Sequence, residues 1–417
     1  MAILRSVLGP LCAAAALTAC SSKATSDASG AGGESTTSRT DGFTPATHPA
    51  LPQVVDFGGP VLTAPKVQPI AYASDTGAAD VESFLHQLAS TSYWGEVTSQ
   101  YGVGALTVLP AITLTETPPT TITDAEVQQS LAANTTGASP AWGPASTSTI
   151  YLFLLPPGTI ITTTGSNGTG CTDFDGYHDE SAVTNGVTVP YAVGCSCPGF
   201  DGPAITDLEE RTVVISHELV EASTDPFPNT DPAYVQEDDD DIVWTLVSGG
   251  EVADLCELNL DSYYIPPDGT YMVQRIWSNE AAKASTNPCV PVPDTGPYFN
   301  SVPALDDAIQ LDVGGGATLP TIGVTIPVGA SKTIPVSLFS DAPTSGPWKV
   351  SVYDGSYLTG GTAELDLSLD EDTGENGDTL NLTIKVLEAD PTYGVESFVL
   401  FSDLGGQENI WMGMVGQ

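Results

Sequence analysis

The side chains of this sequence that can do chemistry crowd into one stretch, Thr212 to Pro226, which reads TVVISHELVEASTDP. His217 and Glu221 stand four apart, so on a helix they project from one face a turn apart and can reach the same ion. Glu218, next to the histidine, is a carboxylate able to take a proton from water. An imidazole, a carboxylate and an adjacent base in an HExxE pattern are the parts of a metal-assisted hydrolysis site, with His217 and Glu221 as metal ligands and Glu218 as general base. The second ligand is an anionic oxygen where the HExxH form has a neutral nitrogen.

The element that must position these residues is specified locally. Thr206 followed by Glu209 fits a capping box, Asp207 suits the positive end of the helix dipole, and Asp225-Pro226 is a stop, which predicts a helix over 206–224. At 100° per residue Leu208, Ile215, Leu219 and Ala222 form one apolar stripe, while His217 and Glu221 point well away from it, flanked by Val213 and Val220. Such a helix buries one face and offers His and Glu on another, as a cleft between two subdomains requires.

The stretch resembles the active-site helix of the zincin metallohydrolases. That resemblance implies a mixed sheet packed on the helix, a downstream glutamate as third metal ligand, and an aspartate supporting a metal-bound histidine. Gly249-Gly250-Glu251-Val252-Ala253-Asp254 supplies both: Glu251 as ligand, and Asp254, with Asp225, as outer supports. A shell of His217, Glu221 and Glu251 takes a divalent metal, zinc first, but its two carboxylates make manganese, iron and calcium credible rivals. The acidic run Glu237 to Asp241 lacks EF-hand spacing and reads as a solvated loop.

Composition points to export. Ten Lys and Arg stand against 52 acidic residues, a formal charge of -42, which repels nucleic acid and anionic surfaces and leaves no nucleic-acid partner to expect. The first 20 residues read as a signal peptide, and Leu17-Thr18-Ala19-Cys20 resembles the bacterial lipobox, implying a lipidated Cys20 that anchors the chain in the membrane of the bacterial cell envelope, at the outer membrane or cell surface. Residues 21–53, nearly devoid of large apolar side chains, are expected to be a disordered tether, with His48 solvated in it. Cys171, Cys195, Cys197, Cys256 and Cys289 are expected to form disulfides, Cys171 with Cys195 or Cys197 and Cys256 with Cys289; an odd one is left over, and Cys195-Ser196-Cys197 as a thiolate metal pair is the weaker alternative.

Residues 54–292 alternate strand and helix patterns: strands over 67–72 and 149–155, helices over 79–90 and 124–133. The expected fold is an α/β (α+β) zincin-like domain with a mixed sheet and active-site helix. Residues 293–417 switch to short alternating strands near 322–326, 332–338, 348–353, 363–369, 380–386 and 396–401, an all-β sandwich-like domain read as a spacer or adhesion module.

A wider set of motifs recurs in order: Gly58-Gly-Pro-Val-Leu-Thr-Ala-Pro-Lys-Val67, Ser92-Tyr-Trp94, Gln100-Tyr-Gly102, Tyr151-Leu-Phe-Leu-Leu-Pro-Pro-Gly158, Gly176-Tyr-His178, Tyr191-Ala-Val193, HELVEASTDP, Gly250 to Cys256 and Val273 to Asn279. Together they resemble bacterial exported proteins related to the EXORDIUM, or phosphate-induced, protein family. In bacterial relatives the resemblance implies that His217, Glu218 and Glu221 act as a unit; plant members are apoplastic and generally lack the His-Glu pair. His178 can approach the site, either as part of it or in a structural role, whereas His86 reads as a packing or surface residue. Two functions are expected: a membrane-anchored, peptidase-like metal-dependent hydrolase acting on peptide or cell-wall substrate, or a non-catalytic surface lipoprotein that binds cell-wall polymer or a protein partner around a relic or structural metal site.

Overall fold

The computed structural model describes residues 42–163, 168–183, 186–200, 202, 204–293, 296–314, 317–358, 361–388 and 394–417. The signal-peptide and Cys20 expectations, and most of the tether, lie outside the described residues. Among the described residues no helix is long and apolar enough to cross a membrane.

The chain is mixed α/β, with several sheets. Its first large sheet runs, in spatial order, Thr107–Val108, Lys66–Tyr72, Thr149–Leu155, Val187–Cys195 and Gly176–Val183. The first four strands are parallel, and the last is an antiparallel edge strand paired with Val187–Cys195. Parallel strands covered on both faces read as continuous apolar runs, and Thr149–Leu155 is buried at every position. The two faces follow the period of two. Ile150, Leu152, Leu154 and Ala192 share a core with Val214, Ile215 and Leu219 of the long helix Asp207–Thr224. Tyr151, Phe153, Tyr191 and Val193 face the other way, against Val127 and Leu131 of the helix Asp124–Thr135.

The second half forms two β-sheets. One runs Phe299–Pro303, Ser331–Ser340, Thr379–Val386, Leu365–Leu369; the other runs Asp307–Gly314, Ala317–Thr325, Gln407–Gly416, Val395–Leu404, Trp348–Asp354, Thr373–Gly374. They meet face to face: Phe299 stacks obliquely on Trp348 at 5.2 Å, and the Trp348 indole N–H donates to Ser301 Oγ at 3.0 Å.

Two expectations shift here. The end of the supposed tether lies on the β-sheets, where Asn376 Oδ1 accepts the Ala46 N–H at 2.9 Å, His48 stacks on Phe339 at 3.8 Å and Leu51 is buried. The half-buried His48 is thus a packing residue rather than a solvated one. The two halves also share one core: Trp244, on the short helix Val243–Ser248, packs edge-on against Trp411 at 6.2 Å and beside Trp277 at 5.6 Å. The disulfides are Cys171 with Cys197 and Cys256 with Cys289, leaving Cys195 as a buried thiol. Such bonds persist in oxidising compartments, which fits an exported protein.

Candidate metal centre

The long helix begins at a complete capping box: Thr206 Oγ1 accepts the Glu209 N–H, and Glu209 accepts the Thr206 N–H at 2.7 Å. Buried Arg211 fixes its first half to the turn that follows the strand Lys66–Tyr72 by a two-pronged pair with Asp75, 2.8 and 3.3 Å. Its second half carries His217, Glu218 and Glu221, and at its C-cap Asp225 donates its N–H to the Glu221 carbonyl at 2.7 Å while its side chain accepts the Ala233 N–H at 2.7 Å.

Two glycines let other elements reach this face. Gly176, on the edge strand, packs so tightly on the helix that a Cβ there would collide with Val214 and lie 2.9 Å from Glu218 Oε1. The close approach brings His178, two residues on and on the same face of the strand, over the helix. Gly249 has φ of 120°, and a side chain there would run into Asp254. The turn it permits presents Glu251 beside the helix, and the Glu251 N–H donates to Asp254 Oδ2 at 3.0 Å.

The result is a buried cluster on three elements. His217 Nε2 lies 3.0 Å from Glu221 Oε2 and 3.4 Å from Asp254 Oδ1. His178 Nδ1 lies 3.6 Å from Glu218, 3.7 Å from Glu221 and 3.5 Å from Glu251. Three sets of donor atoms each fall within 4.8 Å: His178, Glu221 and Glu251; His217, Glu218 and Glu221; His217, Asp254 and Glu257. Glu221 thus belongs to two of them. Its Oε1 is occupied by the Ala253 N–H at 3.1 Å, which leaves Oε2 facing both imidazoles.

Gln274 sets the state of His217. The Gln274 amide nitrogen donates to the Ala253 carbonyl at 2.7 Å, so its oxygen must be the partner of His217 Nδ1, 3.1 Å away. His217 Nδ1 therefore carries a proton and donates it. What remains is a lone pair on Nε2 aimed at two carboxylate oxygens. That contact is repulsive unless a cation or a second proton occupies it.

The charges tell the same story. At the cluster, every ion pair found among the described residues has a histidine as its cation. Burial pulls both imidazoles down, but their acidic neighbours prevail: the carboxylates of Glu218 and Glu221 beside it lift His178 to about 9, and Glu221 and Asp254 hold His217 well above the usual imidazole range. Burial lifts Glu218, and it lifts Glu251 well above the carboxylate range, with Glu221 adding to it. Burial also raises Asp254, to about 6, and Asp225. Against its own burial Glu221 is held low, chiefly by His217. Without a cation, protons do the neutralising. A divalent ion would displace them, because ligands bind metal in their deprotonated forms.

The expected residues thus come together unevenly. His217, Glu218 and Glu221 share a helix face, Asp254 touches His217, and Glu251 pairs with His178 rather than with His217. Asp225 lies behind Glu251, within its electrostatic reach. Sequence reasoning gave no role to Gln274 or Glu257; Gln274 sits in the Val273 to Asn279 motif, which was the signal available. His86 is exposed, on the helix Ala78–Leu88, and enters none of these groups. Among the described residues the acidic run enters none of the candidate metal groups; Asp238 accepts the N–H groups of Asp240 and Asp241, and Glu237, expected to be solvated, is instead buried at the end of the strand Tyr234–Glu237, where it accepts the Thr245 hydroxyl at 2.6 Å.

No family model matches this chain, and no curated protein matches it. Among solved structures it is similar to surface layer protein SbsC, domains 1-6, at 15% identity and a TM-score of 0.17, over 38% of this chain and 19% of that one.

Proposed function

We propose that this chain is an exported divalent-metal-dependent hydrolase, peptidase-like in its chemistry, membrane-anchored at the cell surface or in the periplasm. The observation that carries the reading is the setting of His217: with Nδ1 committed to Gln274, Nε2 faces Glu221 and Asp254, an arrangement that calls for a cation or a second proton, and the further donor atoms gathered around it favour the cation. His217 and Glu221 hold the ion with Glu251 as third ligand, which reaches it from the side of His178 through their shared neighbour Glu221, and the mixed nitrogen and oxygen donors suit zinc, manganese or iron. When bound, such an ion polarises a carbonyl and acidifies water. Glu218 takes the proton. Its carboxyl is buried and raised, which brings it nearer the pH at which a base both accepts and returns a proton. Gln274 fixes the orientation of His217, and Ala253 that of Glu221.

A closed metal site would favour a purely structural ion. Here His217, Glu251 and Asp254 keep 12%, 14% and 16% of their side-chain surface open. That leaves a side from which substrate can approach. The substrate class we assign is peptide or cell-wall polymer, and the resemblance of the motif order to EXORDIUM-related exported proteins accords with action outside the cell.

The test is Glu218→Gln, assayed against a panel of peptides and cell-wall polymers. Metal content should be unchanged, while hydrolysis falls by a factor on the order of a hundred or more. Equal hydrolysis by both proteins would remove Glu218 as the base. Metal retained by both with no hydrolysis by either would leave the non-catalytic surface protein as the better reading.

A further inference from the structure

His178 has no part in the shell described so far. It stands on the antiparallel edge strand opposite Ala192, and its side chain is 5% exposed. Nδ1 has oxygens of Glu218, Glu221 and Glu251 at 3.5 to 3.7 Å. These separations exceed hydrogen-bond lengths. They match another geometry: two atoms each about 2.1 Å from one tetrahedral ion stand about 3.4 Å apart. Glu221 and Glu251 stand from this nitrogen at the spacing of ligands that share an ion, and the three donor atoms form one of the sets within 4.8 Å, while Glu218, the base, lies beside them. The other ring nitrogen, Nε2, is buried without a hydrogen-bond partner among the described residues, so no acceptor commits the ring to a different role.

Resting on the divalent-cation reading above, we propose that His178 is itself a metal ligand, completing a shell of His178, His217, Glu221 and Glu251. Glu221 Oε2 is the oxygen both imidazoles face, 3.0 Å from one and 3.7 Å from the other, and it joins the two halves of the shell. Two imidazoles and two carboxylates balance a divalent charge, and the second nitrogen moves the preference away from calcium, which takes oxygen ligands, towards zinc and its neighbours. The ion would then tie the edge strand of the sheet to the long helix, so that metal binding also stabilises the fold.

The experiment loads the full-length protein with Cu(II) and counts coordinated imidazoles by pulsed electron paramagnetic resonance. Two are expected in the native protein and one in either His178→Asn or His217→Asn. Zinc affinity of His178→Asn should fall at least about ten- to hundredfold, the cost of losing even an outer partner of a ligand, and the rise in melting temperature on adding zinc should shrink with it. One imidazole in the native protein, with the count unchanged in His178→Asn and abolished in His217→Asn, would overturn this assignment and leave the cation reading intact. A native protein that binds neither copper nor zinc would overturn both. Because the native count decides by itself, a variant that fails to fold does not blunt the test.

Discussion

The helical residues of the centre were legible because a helix fixes its own spacing: His217, Glu218 and Glu221 lie within five positions, and 3.6 residues per turn says which face they share. Gln274 and His178 were not legible in the same way. The first reaches His217 through a chain separation of 57 residues, and the second reaches the helix only because an edge strand pairs where it does. No local period encodes either contact. Gln274 nevertheless makes a sharp prediction, since it decides which nitrogen of His217 carries the proton. Gln274→Ala should lower metal affinity about ten- to hundredfold, the usual cost of removing the partner of a ligand, with the fold retained by circular dichroism. Gln274→Glu, which keeps an acceptor for Nδ1, should recover much of it. Equal affinity in all three proteins, by titration with a competing chelator, would show that His217 needs no such support.

Among elements, the long helix announced itself by its capping residues, and the strands Lys66–Tyr72 and Thr149–Leu155 by short, largely apolar runs. Phe299–Pro303, Asp307–Gly314 and Gln407–Gly416 did not. The last is buried at every position and carries Gln, Glu and Asn among its apolar residues, so it shows neither alternation nor an apolar run. The element contact that matters most to the site is the edge strand on the long helix at Gly176. Gly176→Val would force a side chain into Val214 and Glu218. Overpacking of this kind costs about 1–3 kcal/mol, and it should also move His178 away from Glu221. Denaturant unfolding and metal titration should therefore both weaken. Thr206→Ala is the control: losing that cap costs about 1 kcal/mol of stability and should leave metal affinity as it was. If Gly176→Val lowers stability yet binds metal like the native chain, the strand does not position the site.

At the scale of the whole molecule, the β-rich half is packed into the α/β half rather than trailing from it, and nothing in the composition of either half foretold the contact. Trp244 and Trp411 meet there, and Leu260 donates its N–H to Glu408 at 3.3 Å. Glu408 supplies a pH handle. Burial, more than its acidic neighbours, pushes it up to about 7 from 4.5. Its folded form therefore holds a proton that the unfolded chain has released, so stability falls as pH rises from about 4.5 through about 7. Glu408→Gln keeps the acceptor for Leu260 and removes the charge; its melting temperature should exceed the native value at pH 8 and match it at pH 4. Equal melting temperatures at pH 8 would show that this contact does not sense the charge. The short helix carrying Trp244 leads directly into the turn that presents Glu251 and Asp254, so the β-rich half buttresses one wall of the metal centre. The central claim remains the cation, and elemental analysis of the purified protein tests it most directly. After mild purification and supplementation with zinc, manganese or calcium, the native chain should retain about one divalent ion, and His217→Ala should lose it. A native chain that retains none under those conditions would contradict the account.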